Sequence, residues 1–248
     1  MRIFPGERRV TLSVGEFADF GLGPRTGLKG PSGLWRAELG REWHSALRAE
    51  SDVSPKGDAE VRHEVTIRGV FFRDGWTIEM VGRVDKLSEN KGKVLATELK
   101  TTFFPLPATE QRLREKYPHY FLQLAAYLAL LRLLPEHDGK DIEGELLFAD
   151  VSGGGFIQTV PIASSDQFAL EQRLVEILTF LEERRRSRSR LSELVFSPPF
   201  EALREGQSEV LGSLEKTCAF APVTLFEAPT GFGKTGTALS YGLQRLRS

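Results

Sequence analysis

The chain has 248 residues, with 33 basic and 34 acidic side chains, a formal charge of −1 and one cysteine. Hydrophobic residues make up 40% and aromatics 10%, which is enough to bury a core and excludes wholesale disorder. A lone cysteine excludes an internal disulfide, a structural zinc site and a cysteine-ligated iron–sulfur cluster, and the longest apolar stretch, Leu124 to Leu131, is far shorter than the roughly 20 residues a bilayer requires.

The N-terminus carries no apolar signal run, so the sequence reads as a cytoplasmic protein without a membrane partner. The near-zero charge argues against a whole-surface nucleic-acid binder but not against a local basic cleft. The first thirty residues, with Pro5, Pro24 and several glycines, are expected to be mainly loop. Leu34, Ala37, Trp43 and Leu47 recur at near-helical spacing and predict a helix over 33–50, followed by a polar loop over 51–58. Three strands follow. Val61 to Ile67 has mostly apolar odd positions. Arg73-Asp74-Gly75 has the composition of a hairpin turn, and Trp76 to Leu87 alternates beyond it. After Lys91-Gly92 comes a strand over Lys93 to Thr101.

Thr109 to Leu134 predicts one long helix with Tyr120, Leu124, Tyr127, Leu128 and Leu131 on its apolar stripe. Ile142 to Val151 and Phe156 to Ile162 predict two strands joined through Ser152–Gly155, and Ser165 is a candidate N-cap for a closing helix to about Arg188. The order of elements describes an α/β sandwich. The basic run Arg184 to Arg190 ends this part, so a domain is expected over 1–190 and a second segment over 191–248. That segment is expected to hold a helix, a buried strand over Val223 to Glu227, a glycine loop and a final helix.

The densest chemistry lies in the larger part. Glu98 and Lys100 are two residues apart on a strand and point to the same side. Asp85 precedes them near the end of the neighbouring strand of a hairpin, which can bring it beside Glu98. Two carboxylates and a lysine at one polar spot are costly unless they share a cation, and hard oxygen ligands suit Mg²⁺ or Mn²⁺. Taken alone, the pattern is also met by an edge-strand salt bridge of Lys100.

The surrounding residues extend the pattern. Gly40-Arg41-Glu42-Trp43-His44 lies upstream, Gly82-Arg83-Val84-Asp85-Lys86 precedes Glu98-Leu99-Lys100-Thr101-Thr102, and Gln123-Leu124-Ala125-Ala126-Tyr127 follows on a helix. Together these resemble the RecB-type branch of the PD-(D/E)xK nucleases, which includes CRISPR-associated and lambda-exonuclease-like enzymes. The resemblance implies a restriction-endonuclease-like mixed sheet flanked by helices. It also implies a metal held by His44, Asp85 and Glu98 with the Leu99 carbonyl, and Lys100 positioning and helping to deprotonate a water. Gln123 and Tyr127, one helical turn apart, would contact DNA or brace the site. Relatives with an iron–sulfur clamp use four cysteines flanking the domain. Only Cys218 is present here, so no cluster is expected in this domain. His63 is expected to be a packed or edge histidine, and His119 and His137 surface residues. Tyr127 also fits the core stripe. The arginine run describes a solvated helix end, or a guide for a nucleic-acid backbone.

Near the C-terminus, Ala228-Pro229-Thr230-Gly231-Phe232-Gly233-Lys234-Thr235 is a glycine loop before a helix, the arrangement that turns backbone N–H groups onto phosphate. Gly231 and Gly233 would open the loop, Lys234 would reach the β/γ-phosphates and Thr235 would hold Mg²⁺. With Phe200, Arg204 and Gln207 upstream, it resembles the start of an XPD/DinG-like superfamily 2 helicase, which implies the first part of a RecA-like lobe. Thirteen residues follow Thr235, too few for the remaining motor motifs, so the sequence looks cut off. ATP is expected to matter only in a full-length helicase. The expected function is that of a metal-dependent DNA nuclease acting on single strands or ends, with the rest of a helicase in cis as partner. The alternatives are a catalytically silent module that holds DNA for the helicase, and a protein that is chiefly a nucleotide binder.

Overall fold

The structure, a computed structural model, describes residues 1–21, 60–151, 156–193, 195, 201–221 and 223–247. The helix expected over 33–50, with His44, the loop over 51–58, the Ser152–Gly155 connection and Phe200 lie outside the described residues. The chain divides into two compact units, Met1–Leu181 and Glu182–Ser248.

The first unit is built on a seven-stranded mixed sheet. Its N-terminal residues are not loop: β1 (Arg2–Phe4) and β2 (Arg9–Ser13) pair antiparallel, and α1 (Val14–Ala18) follows. Val10-Thr11-Leu12 alternates over too few residues to outweigh the nearby Pro5 and Gly6, but β2 gains a long neighbour in space. Ser13 and Glu16 start α1 through a reciprocal capping box.

β3 (Glu60–Arg73) and β4 (Trp76–Asn90) form a long hairpin, with Asp74 and Gly75 both at positive φ in its two-residue turn. β5 (Lys93–Thr102) pairs antiparallel with the end of β4 and parallel with β6 (Asp141–Asp150), which pairs antiparallel with β7 (Ile157–Pro161). β3 occupies one edge of β4 from Trp76 to Glu89. The other edge is shared: β2 runs parallel to Thr77–Val81, and β5 runs antiparallel to Lys86–Asn90. Among the described residues, therefore, no strand pairs with residues 82–85 of β4 on that edge.

The side-chain alternation of β4 slips at the same place. Trp76, Ile78, Met80 and Val84 are buried as the spacing predicts, but the next buried residue is Leu87, which pairs with the buried Ala96. Opposite Asp85 in the β3–β4 register stands Glu64, whose φ of 51° marks a local break in the ladder.

The helix expected over 109–134 is two helices, α2 (Glu110–Lys116) and α3 (Pro118–Leu131), parted at Tyr117. Proline has no N–H and disfavours helical φ/ψ in the residue before it, so Pro118 starts a helix and cannot continue one. α3 crosses between β5 and β6, and its Phe121, Leu122, Leu124 to Leu128, Leu130 and Leu131 are all buried, the mark of a helix inside the core. Leu12, Ile67, Ile78, Leu87, Leu146 and Phe148 belong to the same core cluster from the sheet. α4 (Ser164–Ser192) adds Leu170, Leu174, Ile177, Leu178 and Leu181. Ser165 lies in its first turn and is not the cap. Asp166 turns back to accept the Ala163 N–H at 2.8 Å and also pairs with Arg114.

In the second unit, α5 (Gln207–Phe220) and α6 (Lys234–Arg247) are helical as expected. The buried strand over Val223–Glu227 is not formed: Val223 is 76% and Leu225 95% exposed. Strands exist only by pairing, and among the described residues this unit supplies no other strand. No described helix is long and apolar enough to cross a membrane.

His137 is 3% exposed, not a surface residue. Its short helical turn places Nε2 3.4 Å from Glu89 Oε2, and Lys140 and Arg62 donate to that carboxylate. Burial pushes the Glu89 carboxyl up, but the bonds from Lys140 and Arg62 outweigh it and hold it below the ordinary glutamate range. A carboxyl depressed by folding stabilises the fold above its unfolded pKa, and that contribution is lost as pH falls through the folded value. Glu89→Gln is therefore expected to cost about 1 kcal/mol in urea denaturation at neutral pH, and the gap between variant and wild type should close as the pH is taken below the glutamate range.

Candidate active site

The stretch of β4 that no described strand pairs on its second edge is where the described site candidates Asp85, Glu98, Lys100, Gln123 and Tyr127 gather. Beyond the last β4–β5 pair, Lys86–Thr97, the two strands diverge and the next backbone groups need other partners. Each strand's carboxylate serves the other: Leu99 N–H donates to Asp85 Oδ2 at 2.9 Å, and Asp85 N–H donates to Glu98 Oε2 at 3.2 Å. Asp85 and Glu98 thus stand side by side.

Lys100 shares the side of Glu98, and its Nζ donates to Glu98 Oε1 at 2.9 Å and to Gln123 Oε1 at 3.0 Å. The Gln123 amide nitrogen donates to Glu98 Oε1 at 3.1 Å and to the Tyr127 hydroxyl at 3.2 Å. Tyr127 in turn donates to the Arg83 carbonyl at 2.9 Å, on the open edge of β4. Gln123 and Tyr127 face the same way because they are one turn apart on α3. Tyr127 is both a core residue and part of the network: it is buried, and only its hydroxyl is polar.

Gly82 makes room for this. A Cβ there would overlap the Tyr127 ring at Cε1 and lie 2.7 Å from Val14 Cγ2. Two further features are absent from the sequence reading. The Tyr120 ring lies over the Lys100 ammonium, 4.9 Å from Nζ to centroid, and His119 packs on Tyr120 at 4.0 Å between centroids. Tyr120 is three residues before Gln123 and so on the same helix face, but in sequence it is indistinguishable from the apolar stripe. His119 is half-buried, not a surface residue, and burial pushes its pKa down.

The electrostatics around Glu98 are those of a desolvated carboxylate beside a second acid and the Lys100 ammonium. Glu98 is 3% exposed. Burial pushes its carboxyl up, the Lys100 ammonium pulls it back, and the Asp85 charge pushes it up again. The Tyr127 hydroxyl is pushed up to about 12, first by burial and then by the Glu98 charge, so it stays protonated and donates. Among the described residues no three His, Cys, Asp or Glu side chains gather as a metal site, and His44 lies outside them. The donor set that is described, two adjacent carboxylates at diverging strand ends beside the Leu99 backbone, is hard, acidic and repelled by its own charge. It fits a divalent cation.

The sequence matches the model of the PD-(D/E)XK nuclease superfamily over residues 13–218. The chain belongs to this superfamily. Nucleases of this superfamily typically use divalent metals such as Mg²⁺. A comparison with curated proteins finds no match. Among solved structures the nuclease is similar to SSO0001, at 18% identity over 77% of this chain and 72% of that one with a TM-score of 0.38. It is also similar to an alkaline exonuclease (LHK-Exo) from Laribacter hongkongensis, at 16% identity over 74% and 93% of the two chains with a TM-score of 0.37.

In the second unit of the nuclease, the nucleotide-site candidates Gln207, Gly231, Gly233 and Lys234 are brought together. Gln207 is fully buried, accepting the Arg204 N–H at 2.9 Å and donating to the Phe232 carbonyl at 2.6 Å, while Arg204 donates to the Gly231 carbonyl. Lys234 Nζ folds back onto the Ala228 and Pro229 carbonyls at 2.6 and 3.2 Å, and Thr235 is exposed on the first turn of α6.

Two substitutions separate packing from chemistry. Gly82→Ala is expected to cost about 1–3 kcal/mol by forcing Tyr127 and Val14 apart. Tyr120→Leu, which keeps apolar bulk but removes the ring over Lys100, should cost about 1 kcal/mol or less. Denaturant titration of both variants measures the difference.

Proposed function

We propose that this nuclease hydrolyses phosphodiester bonds in DNA, acting on single strands or ends. The supporting observation is the reciprocal pairing of Asp85 and Glu98 across the divergence of β4 and β5, with Lys100 fixed beside them. Asp85, Glu98, the Leu99 carbonyl and His44 would hold Mg²⁺ or Mn²⁺. When bound, such an ion polarises the scissile phosphate and acidifies water. Lys100, anchored by Glu98 and Gln123, positions the attacking water and assists its deprotonation. Gln123 holds the lysine at one end and Tyr127 at the other, so the amide sets the direction of the ammonium. Tyr120 covers Lys100 with an apolar ring and limits its hydration.

For the second unit we infer the opening of a helicase lobe in cis, a reading supported by the contacts of Gln207 and Arg204 with the glycine loop and not by the expected strand over Val223–Glu227, which is not formed. Gln207 and Arg204 hold the loop carbonyls of Gly231 and Phe232, and Lys234 occupies the loop where a phosphate would draw it outward. Nucleotide binding by Gln207, Gly231, Gly233, Lys234 and Thr235 belongs to that lobe as a whole.

The test is digestion of labelled single-stranded, duplex and circular DNA with Mg²⁺, Mn²⁺ or EDTA, with products sized from each end. Wild type should cleave only with metal, and Lys100→Ala should be about 10²–10⁴-fold slower with an unchanged circular dichroism spectrum. Undiminished cleavage by that variant overturns the mechanism. DNA binding without cleavage under every metal condition would instead identify a silent DNA-holding module. Metal occupancy has a separate readout: Mg²⁺ at about 100 times its Kd should add about 2.7 kcal/mol to the unfolding free energy, and Asp85→Asn or Glu98→Gln should remove the gain.

A further inference from the structure

The last turns of α4, Glu182–Ser192, hold Arg184, Arg185, Arg186, Arg188 and Arg190 within seven positions. These five are not equivalent. Glu182 takes Arg185 at 2.8 Å and Arg186 at 3.2 Å, and with both bonded to it its carboxyl is held near 2. Arg184, Arg188 and Arg190 form no ion pair with any described residue, and all three are exposed. Arg190 only touches the Ser187 hydroxyl at 3.4 Å.

This arrangement is unfavourable for the helix itself. Arg184 and Arg188, and Arg186 and Arg190, are like-charge i,i+4 pairs, each of which weakens a helix by a few tenths of a kcal/mol. A helix C-terminus is favourably served by one or two cations in its last turn, but Arg184 lies two turns before the end. Nor does the stretch resemble a protein-docking patch. From Glu182 to Arg190 there is no apolar or aromatic side chain to form an interface core, only arginines, two serines and two glutamates. Guanidinium groups fork onto phosphate oxygens, and a hydroxyl such as that of Ser187, which accepts from Arg190, can donate to the same oxygens, while Ser189 already donates to Glu193 at 3.3 Å. In a chain with a formal charge of −1 this is a local concentration of cations whose own acid neutralises only part of it.

We propose that Arg184, Arg188 and Arg190, none of them a residue of the hydrolytic site, form a contact for the phosphate backbone of nucleic acid, with Glu182 limiting its strength by engaging Arg185 and Arg186. The contact reads charge and not base sequence. It rests on the nuclease reading only for its choice of polyanion.

The test is anisotropy of a labelled oligothymidylate, titrated over a salt series with full-length Lys100→Ala protein in EDTA so that the probe stays intact. Removing three phosphate contacts by R184Q/R188Q/R190Q should weaken binding at least tenfold at low salt. It should also lower the magnitude of the slope of log K against log salt by about 2, at about 0.7 per contact on a single strand. Glu182→Gln should do the opposite, tightening binding and steepening the slope by releasing Arg185 and Arg186. Circular dichroism reports that both variants keep their helix content. Unchanged affinity and slope in the triple variant overturn the proposal, as does equal competition by polyglutamate at matched charge. If wild type fails to cleave DNA while these binding shifts are seen, the hydrolytic reading falls and this one stands.

Discussion

The open edge of β4 is the constraint from which the site follows. β3 takes one side of this strand along almost its whole length, and the other side is divided between β2 and β5. The residues between them retain backbone groups that a buried sheet cannot leave unpaired. Tyr127 takes the Arg83 carbonyl, Glu98 takes the Asp85 N–H, and Asp85 takes the Leu99 N–H from the strand that has diverged. The same three side chains that repair the sheet set the two carboxylates side by side and tie the Gln123–Tyr127 pair to them. Gly82 and the slip in alternation after Val84 belong to the same break, because a ring must approach the bare backbone there.

The electrostatic cost is carried locally. A carboxylate as buried as Glu98 loses several kcal/mol of hydration, and the nearby Asp85 adds repulsion. Against this stand one ammonium, one amide N–H and one backbone N–H, all within hydrogen-bond distance. Of the partners of Glu98 among the described residues, all but Lys100 are neutral, so with a second acid beside it Glu98 remains under-compensated in charge although its hydrogen bonds are made. That imbalance favours a cation and disfavours a purely structural salt bridge, for which one acid would suffice.

Much of this was legible in the sequence because its signals are short-range. Strand alternation located β3 to β7, and the period of two placed Glu98 and Lys100 together. The α3 spacing placed Gln123 and Tyr127 on one face. What escaped depended on distant neighbours. β2 is short and exists through β4, whereas Val223–Glu227 has apolar residues but no partner strand among the described residues. The long helix breaks at Pro118, and the apolar stripe from Tyr120 to Leu131 lies wholly in the helix that this proline starts. His137 is buried beside Glu89, a carboxylate on which Lys140 and Arg62 also converge from separate segments. Tyr120 is invisible as a site residue, since a ring over an ammonium and a ring in a core leave the same trace in sequence. For His44 the described residues offer no comparison.

α3 is buried on nearly every side, and it alone supplies Gln123, Tyr127 and Tyr120. Loops can open while a core stays closed, but this helix cannot shift without dismantling the packing of the whole first unit. The Lys100–Gln123–Tyr127 arrangement thus has no low-energy excursion of its own: heat or denaturant would undo it at the same midpoint at which the unit melts.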